Sequence, residues 1–252
     1  MSQRVGALHI APAFSCLEIV DVVYHDLIKK DKKTGKNIDL FLMSKGHGCV
    51  SQYVVLQDLG VLKESDIRDY CTPQGVLGAH PDRGVPGIEA STGSLGHGLG
   101  LAVGMAYAEK LKKSPARIFC LVSDGELQEG SSWEAVMMAA NLALSNLTVF
   151  VDLNDFGGMH RMSEYHKAFY PIDKKFESFG WHVSVVDGHC SSAILAAAAK
   201  RPPSKPAVII CETTKGKGVS YMENVPIWHY RSPNEEEFKK ALVELEGGKV
   251  EE

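Results

Sequence analysis

The sequence predicts an α/β domain with a mainly parallel, doubly wound sheet flanked by helices. Short apolar runs alternate along the chain with segments of helical spacing, as in βαβ units. The clearest of these runs are apolar throughout and rich in β-branched residues, which marks strands covered on both faces. The chain has 252 residues, 44% of them hydrophobic and 23% charged, an ordinary globular balance near the upper size for one core.

Strands are expected at 38–43, 117–122, 147–152, 182–186 and 207–211. Between them, Phe14, Leu17, Val20, Val23, Tyr24 and Leu27 keep helical spacing. Residues 129–144 and 191–200 also read as helices, the second on its alanines. Pro233 is expected to open a last helix, with Glu235, Glu236 and Glu237 set against its positive N-terminal end.

Several classes are excluded. The net charge of −4 argues against nucleic-acid or anionic-membrane partners, which need a basic surface. The lysines of 29–36 read as a solvated helix end and loop. No segment reaches about 18 consecutive apolar residues, so no membrane span is expected. The N-terminus lacks the basic start and apolar run of a secretory signal. None of the six cysteines lies within four positions of another, so a zinc knuckle or CxxC pair is absent. Buried free thiols in a reducing cytoplasm are expected.

In such sheets ligands bind at the carboxyl ends of the strands. The strand ending near Val122 is followed by Ser123-Asp124-Gly125-Glu126, and the strand ending at Asp152 is followed by Asn154-Asp155. If these strands are neighbours, Asp124 and Asn154 meet despite the residues between them. Both are hard oxygen donors suited to Mg²⁺, or to Ca²⁺ in its place. Gly125 lets a phosphate approach the backbone, and the helix after it offers amide donors. The glycines of 93–104 suggest a dinucleotide loop less well, because a clear preceding strand and a downstream acid are lacking.

This pair resembles the thiamine-diphosphate motif, which opens Gly-Asp-Gly and closes about 30 residues later in Asn-Asn. Its filling, Asp124-Gly125-Glu126-Leu127-Gln128-Glu129-Gly130, is similar to the transketolase version. So are Ser44-Lys45-Gly46-His47-Gly48, Gly78-Ala79-His80-Pro81, Thr92-Gly93-Ser94-Leu95-Gly96-His97-Gly98, Phe179-Gly180-Trp181-His182 and Thr213-Thr214-Lys215-Gly216-Lys217-Gly218. The resemblance runs from about His9 to Asn234. It implies a single thiamine-diphosphate-binding domain over 1–252.

The resemblance implies metal ligands at Asp124 and Asn154 and at the backbone carbonyl of Phe156. Gly125 and Glu126 would stand at the diphosphate, with His47 near it. Gly93 would meet the pyrimidine amino group, and Leu95 would hold the cofactor bent. His9, His80 and His229 would face substrate, with His229 also near the cofactor, and histidine suits proton transfer at neutral pH. Glu129 is expected to support a subunit interface or orient the cofactor. His25, His160, His166, His182 and His189 read as ordinary helix, loop or strand-end residues.

Family members build each site from two α/β domains. The second grips the pyrimidine and supplies the glutamate that activates it. The resemblance covers the first domain alone, so the implied partner is a C-terminal transketolase subunit carrying the pyrimidine-binding domain, in a heterotetramer of two each. The charged ending is expected to be a natural subunit terminus; a fragment of a longer chain is the alternative. Implied substrates are sugars or sugar phosphates. Two further readings stay open: another thiamine-diphosphate enzyme, such as a deoxyxylulose-phosphate synthase or a 2-oxo-acid dehydrogenase component, and a non-catalytic or regulatory subunit. The sequence departs from the family pattern at Ser123, Asp155, His97 and Ile10-Ala11-Pro12-Ala13. The last departure puts an ordinary sugar-phosphate substrate in question.

Overall fold

The computed structural model describes residues 1–6 and 9–247. The charged ending lies mostly at 248–252, outside them. Among the described residues there are seven strands: β1 (Leu40–Met43), β2 (Ile118–Ser123), β3 (Leu147–Leu153), β4 (Phe156–Gly157), β5 (His160–Arg161), β6 (His182–Asp187) and β7 (Ala207–Glu212). Five form one sheet in the order β1-β2-β3-β7-β6, and every pairing in it is parallel. β4 and β5 make a small antiparallel ladder of their own.

Strand alternation sends side chains to opposite faces, and both faces are covered. Phe41, Phe119, Leu121, Phe150 and Ile209 pack under the helices Leu17–Val22, Cys49–Asp58 and Ser191–Ala199. Leu42, Ile118, Cys120, Val149, Val151 and Ile210 pack under Gly98–Leu111, Gly130–Asn141 and Ile172–Ser178. The sheet is therefore doubly wound, as the apolar runs predict. Each such side chain contributes about 1.5–3 kcal/mol by leaving water. β6 lies at the sheet edge, and its residues are only half-buried or exposed.

The five expected strands are all present, displaced by at most two residues at either end. Expected helices differ more. The spacing over 14–27 is realised as three pieces, Ile10–Ser15, Leu17–Val22 and a π-helical turn Val23–Leu27. Cys16 breaks the first from the second with a backbone at φ −120°, ψ 13°. The last helix opens at Glu235 rather than at Pro233, because Asn234 is its cap. The Asn234 side chain accepts from the Glu237 N–H at 2.9 Å, and the Glu237 carboxylate accepts from the Asn234 N–H at 2.9 Å. The glycine-rich run beyond residue 97 is the helix Gly98–Leu111. Gly98 is needed there, because a Cβ would meet the Ser44 Oγ at 2.4 Å.

All six cysteines are unpaired. Cys16, Cys49, Cys120 and Cys211 are buried as expected, whereas Cys71 is exposed and Cys190 half-exposed. Among the described residues no helix is long and apolar enough to cross a membrane.

Candidate cofactor site

β2 and β3 are adjacent, with Ser123 opposite Asp152 at their carboxyl ends. The two motif ends therefore meet. The Asp124 carboxylate is wholly buried and bridges them: one oxygen accepts the Gly125 N–H at 2.7 Å, the other the Asp155 N–H at 2.6 Å. Asn154 sits in the next turn and accepts the Phe156 N–H at 3.1 Å. Asp155 takes a left-handed φ of 68°, a conformation asparagine and aspartate tolerate better than other side chains. Its carboxylate points away from Asp124, accepting from Ser163 and from the Tyr170 hydroxyl. The departure at Asp155 is thereby absorbed by a neighbouring loop.

Above these strand ends lies a cavity of about 350 Å³, walled by His9, His47, His80, Gly93, Leu95, Ser123, Gly125, Gln128, Phe156, Gly157, Gly158, His229 and Tyr230. Seven expected site residues thus converge on one wall, from six separate segments, together with Phe156. Asp124, Asn154 and Glu126 do not line it; Asn154 lines a separate cavity with Asp155, Arg161 and Thr213. The Glu126 carboxylate turns away from the cavity, accepting from the Ser44 hydroxyl at 2.5 Å and the Gly96 N–H at 3.0 Å. Through Oε1 its side chain ties the Ser44 and Gly96 turns to β2, and Oε2 is buried without a hydrogen-bond partner. The Ser123 hydroxyl accepts the Glu126 N–H at 3.1 Å, so serine fits the position that a glycine holds in the motif.

The histidines form one cluster. The His9 ring centre is 5.7 Å from those of His47 and His80 and 5.3 Å from that of His229. His9 itself takes a left-handed φ of 71°, at the start of the helix Ile10–Ser15, and a non-glycine residue held there marks a constrained site. The loops interlock through glycines. A Cβ on Gly46 would come within 2.8 Å of the Gly93 nitrogen, and one on Gly93 within 2.9 Å of the His80 ring. The Tyr53 hydroxyl lies 3.1 Å from the Gly78 carbonyl and 2.9 Å from that of His80, holding the His80 loop.

Burial and neighbouring cations keep the rings of His9, His47 and His229 neutral. Burial, then His80 and Lys215, lowers His9 to about 4. Burial, then Lys215, lowers His229 to about 3. His47 falls well below its usual value through burial and then Lys45. On the other side of the wall, burial and the nearby Asp152 carboxylate raise Asp124 to about 7. These outweigh the Gly125 and Asp155 amide hydrogen bonds and the Lys45 charge, which favour its ionised form.

Two buried lysines were not singled out from sequence. Lys45 is wholly buried and paired with Asp152. Lys215 donates to the Gly158 carbonyl at 3.0 Å and lies 2.7 Å from Nδ1 of His229. Burial, then Lys45, lowers it to about 8. Both stand inside the motifs quoted above, and only their burial distinguishes them from solvated lysines. Tyr230 was likewise missed; it lines the cavity, its ring tilted against that of His229 with centres 4.5 Å apart.

The fold and the site together define a doubly wound α/β domain with a histidine- and glycine-lined cavity at the carboxyl ends of its central strands. The family described as "Transketolase, thiamine diphosphate binding domain" matches residues 2–245. The chain is 37% identical to an apulose-4-phosphate transketolase subunit of Actinobacillus succinogenes, over 94% of this chain and 87% of that one. It is 35% identical to the 6-deoxy-6-sulfo-D-fructose transketolase subunit SqwG of Clostridium sp., over 96% of this chain and 90% of that one. Against the solved transketolase of Campylobacter jejuni the TM-score is 0.80 at 27% identity, covering 94% of this chain and 42% of that one. The chain thus spans about two-fifths of that transketolase's length. It belongs to the transketolase family, and its sheet and flanking helices are the family's thiamine-diphosphate-binding fold.

Proposed function

We propose that this chain is the diphosphate-binding subunit of a split transketolase, which moves a two-carbon ketol unit from a ketose to an aldose. The observation that carries the reading is the convergence of four histidines over the Asp124–Asn154 strand ends. Relatives of similar length that are named as subunits support the division into two chains.

The residues fit the cofactor. Asp124, Asn154 and the Phe156 carbonyl would hold Mg²⁺, or Ca²⁺ in its place, and the metal would hold the diphosphate. A Cβ on Gly125 would come within 3.3 Å of the Phe156 oxygen, so a side chain there would crowd the place a phosphate takes. Gly93 and Leu95 would receive the pyrimidine, and His47 would stand by the diphosphate. Thiamine diphosphate supplies the carbanion stabilisation that the side chains lack.

The protein's part is proton handling. Lys215 donates to Nδ1 of His229, so the neutral ring carries its proton on Nε2. His229, His9 and His80 are then placed to take a proton from a substrate hydroxyl and return one to the product. Such groups are worth about 10²–10⁴ in rate. Intact histidines and transketolase relatives favour this reading over a regulatory subunit or another thiamine-diphosphate enzyme.

The partner in this reading is a C-terminal subunit bringing the pyrimidine-binding domain and its glutamate, in a heterotetramer of two each. Its substrates are sugars or sugar phosphates. Six unpaired cysteines accord with a cytoplasmic setting. The test is to co-purify the chain with its partner and assay ketol transfer from hydroxypyruvate to glycolaldehyde. The complex is expected to turn over and the chain alone to be silent; robust turnover by the isolated chain would overturn the split reading.

A further inference from the structure

Asp152 is the second-to-last residue of β3, wholly buried, and no expectation from sequence gave it a role beyond ending a strand. Its carboxylate gathers donors from four segments. The Ser15 hydroxyl donates at 2.6 Å, and the Lys45 ammonium and the Thr213 hydroxyl both donate to it. The Asn154 amide nitrogen lies 3.2 Å from it and donates also to Ser15 Oγ at 3.0 Å. Three of these segments carry a residue of the cavity region close by in the chain. Ser15 ends the helix that begins beside His9, Lys45 stands two before His47, and Thr213 two before Lys215.

The chemistry of this cluster fixes the Asn154 amide. An amide has a donating end and an accepting end. Asp152 offers only acceptors, and the Ser15 hydroxyl, whose proton goes to Asp152, offers its lone pairs. Turning the amide over would set its oxygen against both. The NH₂ end therefore faces the core, and the oxygen faces the Phe156 N–H and the strand tip.

We infer that Asp152, with Ser15, is a positioning residue that presents the Asn154 carbonyl oxygen as a cation ligand. The inference rests on the metal reading above and deepens it. Partners behind a ligand typically govern 10–100-fold in metal affinity. Lys45 balances the Asp152 charge, which lets a buried anion sit behind the site.

The test measures thiamine diphosphate uptake by calorimetry at rising Mg²⁺, on the chain complexed with its partner. Ser15→Ala removes one of the two acceptors holding the amide and leaves Lys45 paired. The expected result is a rise of about tenfold or more in the Mg²⁺ needed for half-maximal uptake, with full uptake restored at high Mg²⁺. Asp152→Asn is expected to shift it further, and if that variant does not fold, Ser15→Ala decides alone. A melting point that falls while the Mg²⁺ midpoint stays put would make the cluster structural only and overturn the inference. Mg²⁺-independent uptake by the unaltered complex would overturn the metal reading beneath it, and the inference with it.

Discussion

Lys215 Nζ lies 2.7 Å from Nδ1 of His229, joining a buried cation to a ring on the cavity wall. Charge and tautomer are set together there: the ammonium holds the imidazole neutral and leaves its proton on the far nitrogen. Replacing Lys215 with Met keeps the stem and removes the charge. His229 should then titrate at higher pH, because Lys215 is the second cause of its lowering after burial. The acid limb of the ketol-transfer pH profile should move up, and kcat/KM should fall by about 10²-fold, the lower bound for a positioned proton-transfer group. An unmoved acid limb would refute the coupling.

Asp124→Ala removes the carboxylate that ties the Gly125 and Asp155 amides together. Mg²⁺-dependent binding of thiamine diphosphate is expected to vanish in calorimetry. Persisting Mg²⁺-dependent uptake would show that this carboxylate is not a ligand.

His9 gives the protein an acid sensitivity. Its folded value is about 4 against 6.5 when free, so between those values the unfolded chain binds a proton that the folded chain refuses. Its contribution to stability is therefore present above pH 6.5 and lost as the pH falls toward 4. His9→Gln should flatten part of the fall in melting temperature over that window. A profile as steep as the parent's would assign the sensitivity to other groups, His229 and His47 first.

Gly93→Ala forces a Cβ into the His80 ring at a backbone φ of 142°, which side chains rarely adopt. Both effects are unfavourable, and together they should cost about 1–3 kcal/mol. The denaturation midpoint should drop, and His80 should be displaced from the cluster. A stability unchanged from the parent would show that the three loops do not interlock as described.

The strands were legible in the sequence because a strand covered on both faces must be apolar throughout, and 118–122 and 147–152 nearly are. The motif ends were legible for a related reason: Asp124-Gly125 and Asn154-Asp155 follow such strands directly, where parallel sheets put their ligands. The helix 14–27 was misjudged because apolar spacing does not register the break at Cys16. Pro233 was misjudged because the capping box of Asn234 and Glu237 is the stronger signal. The bonds of the Glu126 carboxylate were not legible, because they depend on Ser44 and Gly96, distant from it in the chain.

By itself, then, the sequence determined the sheet, the winding and which residue types stand at the strand ends, since those depend on local pattern. Tertiary structure alone decided the rest. Lysine reads as a surface residue, and only packing of distant segments makes Lys45 and Lys215 buried cations that hold a carboxylate and a histidine. The role of Asp152 is of the same kind: four donors meet it from positions 15, 45, 154 and 213, and no spacing along the chain encodes that meeting.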